Sequence, residues 1–120
     1  MTEIKEINID SLHELIESER EFVLLDIRTM NEIQQGMIPT GVIQSMRELP
    51  VELHKYTDKD ALMVIYCRSG IRSYQVCEFM QDKGYNNVYN LAGGIIDWAE
   101  KGFAISKYQD SYQKACFSKG

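Results

Sequence analysis

A chain of 120 residues has the length of one ordinary domain, and its 44% hydrophobic and 26% charged residues are those of a soluble globular protein. A net charge of −5 argues against general affinity for nucleic acid or for acidic membrane surfaces. No apolar run approaches the ~20 residues of a membrane span, Met1–Glu6 lacks the apolar core of a secretory signal, and three irregularly spaced cysteines point to a reducing, cytoplasmic setting.

In chain order, Ile4–Ile9 alternates apolar and polar residues like a half-exposed edge strand, and Ser11-Leu12-His13-Glu14 reads as a capping box opening a short helix. Phe22–Ile27 is almost wholly apolar, as in a strand buried on both faces of a parallel sheet. A helical stretch follows over Met30–Gln35, closed by Gly36. Pro39-Thr40-Gly41 marks a turn, and Val42-Ile43 a short strand. Met46–Tyr56 has helical spacing, with Pro50 tolerable only in a first turn or at a break. Ala61–Tyr66 is another buried strand. A helix over Gly70–Lys83 carries Val76, Phe79 and Met80 on one face, with Tyr74 and Cys77 beside it, and Gly84 stops it. Asn87–Leu91 is a strand, and Gly93-Gly94 opens a last helix that Gly102 ends. Phe103–Gly120 is polar and without period. Strand and helix alternate every 20 to 25 residues, which predicts an open, mostly parallel α/β sheet with helices on both faces.

In such sheets reactive groups gather at the carboxyl ends of the strands. Two strand ends here carry chemistry: Asp26-Ile27-Arg28 and Cys67-Arg68. The second opens a tight loop, Cys67-Arg68-Ser69-Gly70-Ile71-Arg72-Ser73, between a buried strand and a helix. A thiol there faces the helix amino end, with two guanidinium groups in the same loop, and both favour the thiolate. Metal or dithiol chemistry has no support. There is no Cys-x-x-Cys, and His13 and His54 lie far in sequence from each other and from any cysteine.

Three segments together resemble the single-domain rhodanese-type sulfurtransferases. Leu24-Leu25-Asp26-Ile27-Arg28 with Glu32 and Gly36-Met37-Ile38-Pro39 is similar to the family's amino-terminal motif. Cys67–Arg72 is similar to its six-residue active loop, and Leu91-Ala92-Gly93-Gly94 with Trp98 to its carboxy-terminal motif. The match covers about residues 3–104. The family usually has histidine at Met37, Gly-Ala at Thr40-Gly41, and often asparagine or histidine at Ile43. The resemblance implies a rhodanese-like five-stranded domain over residues 1–105, followed by a polar tail over 106–120. It also implies a Cys67 persulfide that moves sulfane sulfur from a small anionic donor such as thiosulfate to cyanide or a thiol. The thiol acceptor is a small molecule or a thioredoxin-like protein, and neither metal nor cofactor is needed.

Within that reading Cys67 is the nucleophile, and Arg68, Ser69, Gly70, Ile71, Arg72 and Ser73 surround the substrate. Arg68 is the better candidate to meet the anion. Arg72 either holds the loop through Asp26 or Glu32 or binds substrate, and Asp26 and Arg28 brace the loop from beneath. Cys77 reads as packing and Cys116 as an incidental thiol of the tail, with sulfur relay as its alternative. His13 and His54 read as surface residues. Two other readings stand beside the enzyme: a relay module serving a protein acceptor, and a cysteine phosphatase or arsenate reductase. The second is disfavoured because four residues, not five, separate Cys67 from Arg72, a cradle suited to one sulfur atom.

Overall fold

The most apolar segments lie at the centre of the sheet and the alternating one at its rim. The computed structural model describes residues 3–108. Five strands, β1 (Lys5–Ile7), β2 (Val23–Asp26), β3 (Val42–Ile43), β4 (Met63–Tyr66) and β5 (Val88–Leu91), form one sheet in the order β1-β5-β4-β2-β3. Every pairing among them is parallel. β4, whose four residues are all buried, is the middle strand.

Five helices flank the sheet: α1 (Ile9–Glu17), α2 (Met30–Ile33), α3 (Leu49–Glu52), α4 (Ile71–Asp82) and α5 (Gly94–Glu100). Side-chain alternation along the strands divides the core in two. Leu25, Met63, Ile65 and Val88 pack with Leu49 of α3 and with Val76, Cys77 and Met80 of α4. On the opposite face Leu24, Val64, Tyr66 and Leu91 pack with Leu12 of α1 and with Ile95 and Trp98 of α5. Cys67 falls on the α4 face and Tyr66 on the α5 face.

Some boundaries differ from expectation. The first helix begins two residues before Ser11. Asn8 is its cap, and the Asn8 side chain accepts the Ser11 amide at 2.8 Å, which leaves the strand only Lys5–Ile7. A capping box does occur, but at α2, where Thr29 and Glu32 satisfy each other's amides. Pro50 sits in the first turn of α3, which continues into a 3-10 turn over Leu53–Lys55. His13 is not a free surface residue: its ring stacks on Phe103 with centroids 4.2 Å apart. Phe103 packs against the α5-side core, and the Trp98 indole N–H donates to the Ala104 carbonyl at 2.7 Å. Ser106 exchanges two 2.8 Å backbone hydrogen bonds with Met37, folding the chain back over the turn after α2. Cys116 lies outside the described residues. Among those described, no helix is long and apolar enough to cross a membrane.

Candidate active site

Cys67 follows the last residue of β4, so the central strand delivers its sulfur to the carboxyl edge of the sheet. The chain then turns sharply into α4. Gly70 makes the turn with φ +104°, and a Cβ there would lie 3.3 Å from the Leu91 carbonyl, so neither the conformation nor the space suits another residue. The turn aims donors inward. The Gly70 amide lies 3.1 Å from Cys67 Sγ, the Ser73 amide 3.4 Å and the Ser73 hydroxyl oxygen 3.3 Å.

Burial of the sulfur pushes its pKa up. Hydrogen bonds from Ser73 and from the amides of Gly70 and Ser69 more than offset this, and the Cys67 thiol ends below its ordinary value. Cys77, on the same core face without such donors, is pushed up to about 12 by burial. The two buried thiols are thus shifted in opposite directions, and only Cys67 is favoured as a thiolate. Cys67 is itself 1% exposed. The same wrapping that brings donors to the sulfur also covers it.

The amino end of α5 pins the start of the loop. The amides of Ile95 and Ile96 donate to the carbonyls of Cys67 and Arg68 at 3.0 and 3.1 Å. Gly94, at φ +60°, permits that approach: a Cβ would sit 2.3 Å from the Arg68 carbonyl oxygen and 2.7 Å from that of Cys67. The Gly93-Gly94 pair thus does the close-packing work expected of it, and its target is the loop itself.

Of the two roles considered for Arg72, holding the loop is the one its contacts satisfy. Its guanidinium forks onto Glu32 at 2.9 and 2.8 Å. That pairing, helped by the Thr29 cap, holds the Glu32 carboxyl down at about 2. The two guanidinium groups of the loop are therefore not equal. Arg72 is neutralised by its partner, whereas Arg68 is exposed and lines a small cleft with Gln35, Ile95 and Ile96. Ser69 and Ile71 are also exposed.

Asp26 and Arg28 lie at the neighbouring strand end as a buried pair. Arg28 Nε and Nη2 donate to the two Asp26 oxygens at 2.8 and 2.7 Å, and Nη2 also reaches the Gly36 carbonyl at 2.7 Å. The Tyr66 hydroxyl donates to Asp26 at 2.5 Å and accepts the Ile38 amide at 3.0 Å. Burial and the Asp26 carboxylate push the Tyr66 hydroxyl up, so it stays protonated as a donor. This network ties β2, β4 and the turn after α2 together without touching the sulfur.

Two contributors went unseen in the sequence. Tyr66 read as one more apolar residue of its strand. Asn90, 1% exposed in β5, contacts Ser73, Gly70 and Glu6, and its only sequence signal is an amide inside an otherwise apolar strand. Among the described residues no buried side-chain polar atom lacks a partner, and no group of three or more His, Cys, Asp or Glu side chains could hold a metal ion.

Comparison with known proteins agrees with this geometry. The family model described as the rhodanese-like domain matches residues 8–101. A sulfurtransferase of Allochromatium vinosum is 44% identical over 102 residues, 85% of this chain and 94% of that protein. A Bacillus subtilis relative, also carrying a sulfurtransferase name, is 41% identical over 96 residues, 80% of this chain and 91% of its own. Among solved structures, a rhodanese-like domain protein from Staphylococcus aureus superposes with a TM-score of 0.76 at 28% identity, covering 87% of this chain and 100% of that one.

Proposed function

Since the chain belongs to the rhodanese-like domain family, we propose that it is a sulfurtransferase whose Cys67 thiolate carries sulfane sulfur as a persulfide. The observation that carries this reading is the convergence of the Gly70 and Ser73 amides on one sulfur atom at 3.1 and 3.4 Å.

In the first step the thiolate attacks the outer sulfur of thiosulfate or a similar donor. A bond forms between Cys67 Sγ and that sulfur, the donor's S–S bond breaks, and sulfite leaves with the electron pair. Sulfite is a stable anion, so no proton need be supplied. In the second step a thiolate or cyanide attacks the outer sulfur of the persulfide and returns Cys67 to its starting state. The loop amides support negative charge in both states, as backbone nests do for anions. Arg68, exposed beside the loop, draws the anionic donor in. Cys67 itself is 1% exposed, and Arg68-Ser69 is the exposed side of its loop from which a donor approaches. The physiological acceptor is a thiol, on a small molecule or a thioredoxin-like protein, and the setting is cytoplasmic.

Intact-mass measurement after incubation with thiosulfate tests the reading. Wild type should gain one sulfur atom, lose it to cyanide, and show no gain as Cys67→Ser. An unmodified wild type under these conditions would refute the proposal.

A further inference from the structure

The Ser73 hydroxyl has one proton and two neighbours to receive it. Its oxygen lies 3.3 Å from Cys67 Sγ and 2.5 Å from Asn90 Oδ1. Ser73 is 0% and Asn90 1% exposed, so the contest is decided inside the protein.

The Asn90 amide is not free to turn. Its nitrogen donates to Glu6 Oε2 at 2.8 Å and to the Gly70 carbonyl at 3.2 Å. Glu6 stands opposite Asn90 in the β1–β5 pairing. A carboxylate and a carbonyl can only accept. Rotating the amide would set its oxygen against both and leave its two N–H groups facing Ser73 alone. The oxygen therefore faces Ser73, and two oxygens 2.5 Å apart need a proton between them. Asn90 Oδ1 has none to give, so the proton comes from Ser73.

We infer that Asn90 is a positioning residue: oriented by Glu6 and Gly70, it draws the Ser73 proton onto its own oxygen and turns a Ser73 lone pair towards the Cys67 sulfur. The protonation states of Cys67 then differ in how they fit. In the thiol, Cys67 S–H donates to Ser73 Oγ while Ser73 O–H donates to Asn90, and every proton has an acceptor. In the thiolate, one proton faces two acceptors. Either the sulfur loses its hydroxyl donor or the oxygen pair loses its proton. The amides of Gly70 and Ser73 favour the thiolate, and the Asn90–Ser73 relay opposes them. Resting on the sulfur-transfer reading, a further consequence follows: in the persulfide, Sγ is a neutral bridging atom that asks for no proton, so the conflict disappears.

The charged and titratable groups near the sulfur are Arg68 in the loop, Arg72 and Cys77 on α4, Glu32 on α2, Asp26 and Arg28 at the end of β2, Tyr66 on β4 and Glu6 on β1. Substitutions at positions 73 and 90 leave all of them in place.

The test is the pH dependence of iodoacetamide alkylation at Cys67, followed peptide by peptide by mass so that Cys77 and Cys116 do not contribute. It uses the full chain without any sulfur donor, so it reads thiol ionisation whether or not sulfur transfer occurs. Ser73→Ala should leave the Cys67 midpoint within about 0.3 of wild type. Asn90→Ala should free the hydroxyl and lower the midpoint by about one unit, roughly a tenfold faster reaction on the acidic side. Ser73→Ala added to Asn90→Ala should bring it back. A rise of about one unit in Ser73→Ala alone would mean the hydroxyl already donates to sulfur, and would overturn the inference. So would an unmoved midpoint in Asn90→Ala. Should Asn90→Ala fail to fold, Asn90→Leu, close to asparagine in size and without an acceptor, fills the same place in β5 and equally frees the hydroxyl. The midpoint should then fall, and should not fall when Ser73→Ala is also present. A fall that persists without the hydroxyl does not pass through Ser73 and counts against the inference.

Discussion

Gly94→Ala puts the anchoring of the loop to a quantitative test. An alanine at φ +60° costs about 1 to 2 kcal/mol by conformation alone. Its Cβ would lie 2.3 Å from the Arg68 carbonyl oxygen, 2.6 Å from the carbonyl carbon and 2.7 Å from the Cys67 carbonyl oxygen. All three are backbone atoms, so no side-chain rotation relieves the contact. Moving from 2.3 Å to the 3.4 Å of ordinary contact withdraws the helix end by about an ångström. The Ile95 and Ile96 hydrogen bonds at 3.0 and 3.1 Å do not survive that shift. Each is worth about 1 kcal/mol net, which brings the total to roughly 3 to 4 kcal/mol, or about 12 to 16 °C in Tm for a domain of this size. Gly102→Ala supplies the control, since Gly102 has φ +88° but nothing within 4 Å of an added Cβ. It should show only the conformational part, about 4 to 8 °C. Thermal unfolding followed by circular dichroism compares the two directly. Equal losses in both variants would show that the approach of α5 to the loop carries no strain and that its two hydrogen bonds matter little.

Two further outcomes follow from the charged pairs. Asp26→Asn removes one member of an ion pair whose side chains are 0% and 5% exposed, leaving Arg28 buried without its counter-charge. Urea unfolding should show a loss of about 3 to 5 kcal/mol, and a loss under about 1 kcal/mol would contradict the bracing role. Glu32 is depressed from its ordinary 4.5 to about 2, so the stabilisation from its pairing is complete above pH 4.5 and is lost as pH falls through about 2. Glu32→Gln should flatten the stability profile across that window, modestly and with strong salt sensitivity, because the pair is a quarter to a third exposed. Unfolding midpoints from pH 2 to 5 would read this, and an unchanged acid slope would argue against it.

The fold was largely legible because its signals are local. The apolar run before Cys67, the strand ending in Asp26-Ile27-Arg28 and the Gly93-Gly94 pair each announce their element within a few residues. The same holds for the loop: Gly70 and Ser73 sit close enough to Cys67 for their roles to follow from a strand-to-helix turn. What escaped depends on partners far along the chain. Tyr66 meets Asp26 across 40 residues, and Asn90 meets Glu6 across 84. Neither contact leaves a periodic trace. The amino-terminal cap was misplaced because Asn8 and Ser11 are both good cap residues three apart, and only the backbone angles choose between them. The choice between Glu32 and Asp26 for Arg72 was open for a similar reason. Asp26 is taken by Arg28 and Tyr66, which only the folded sheet reveals.

The clamp by Ile95 and Ile96 also sets a schedule for the molecule's making. Cys67 is translated before the helix end that holds its loop, and Asn90 arrives between them. A nascent chain that has reached only Asn90 already carries the thiol but none of the carboxy-terminal restraint on the two carbonyls beside it. Cys67 and its own loop donors are therefore made first, and the two carbonyls at the loop's start are fixed only once the amino end of α5 has docked.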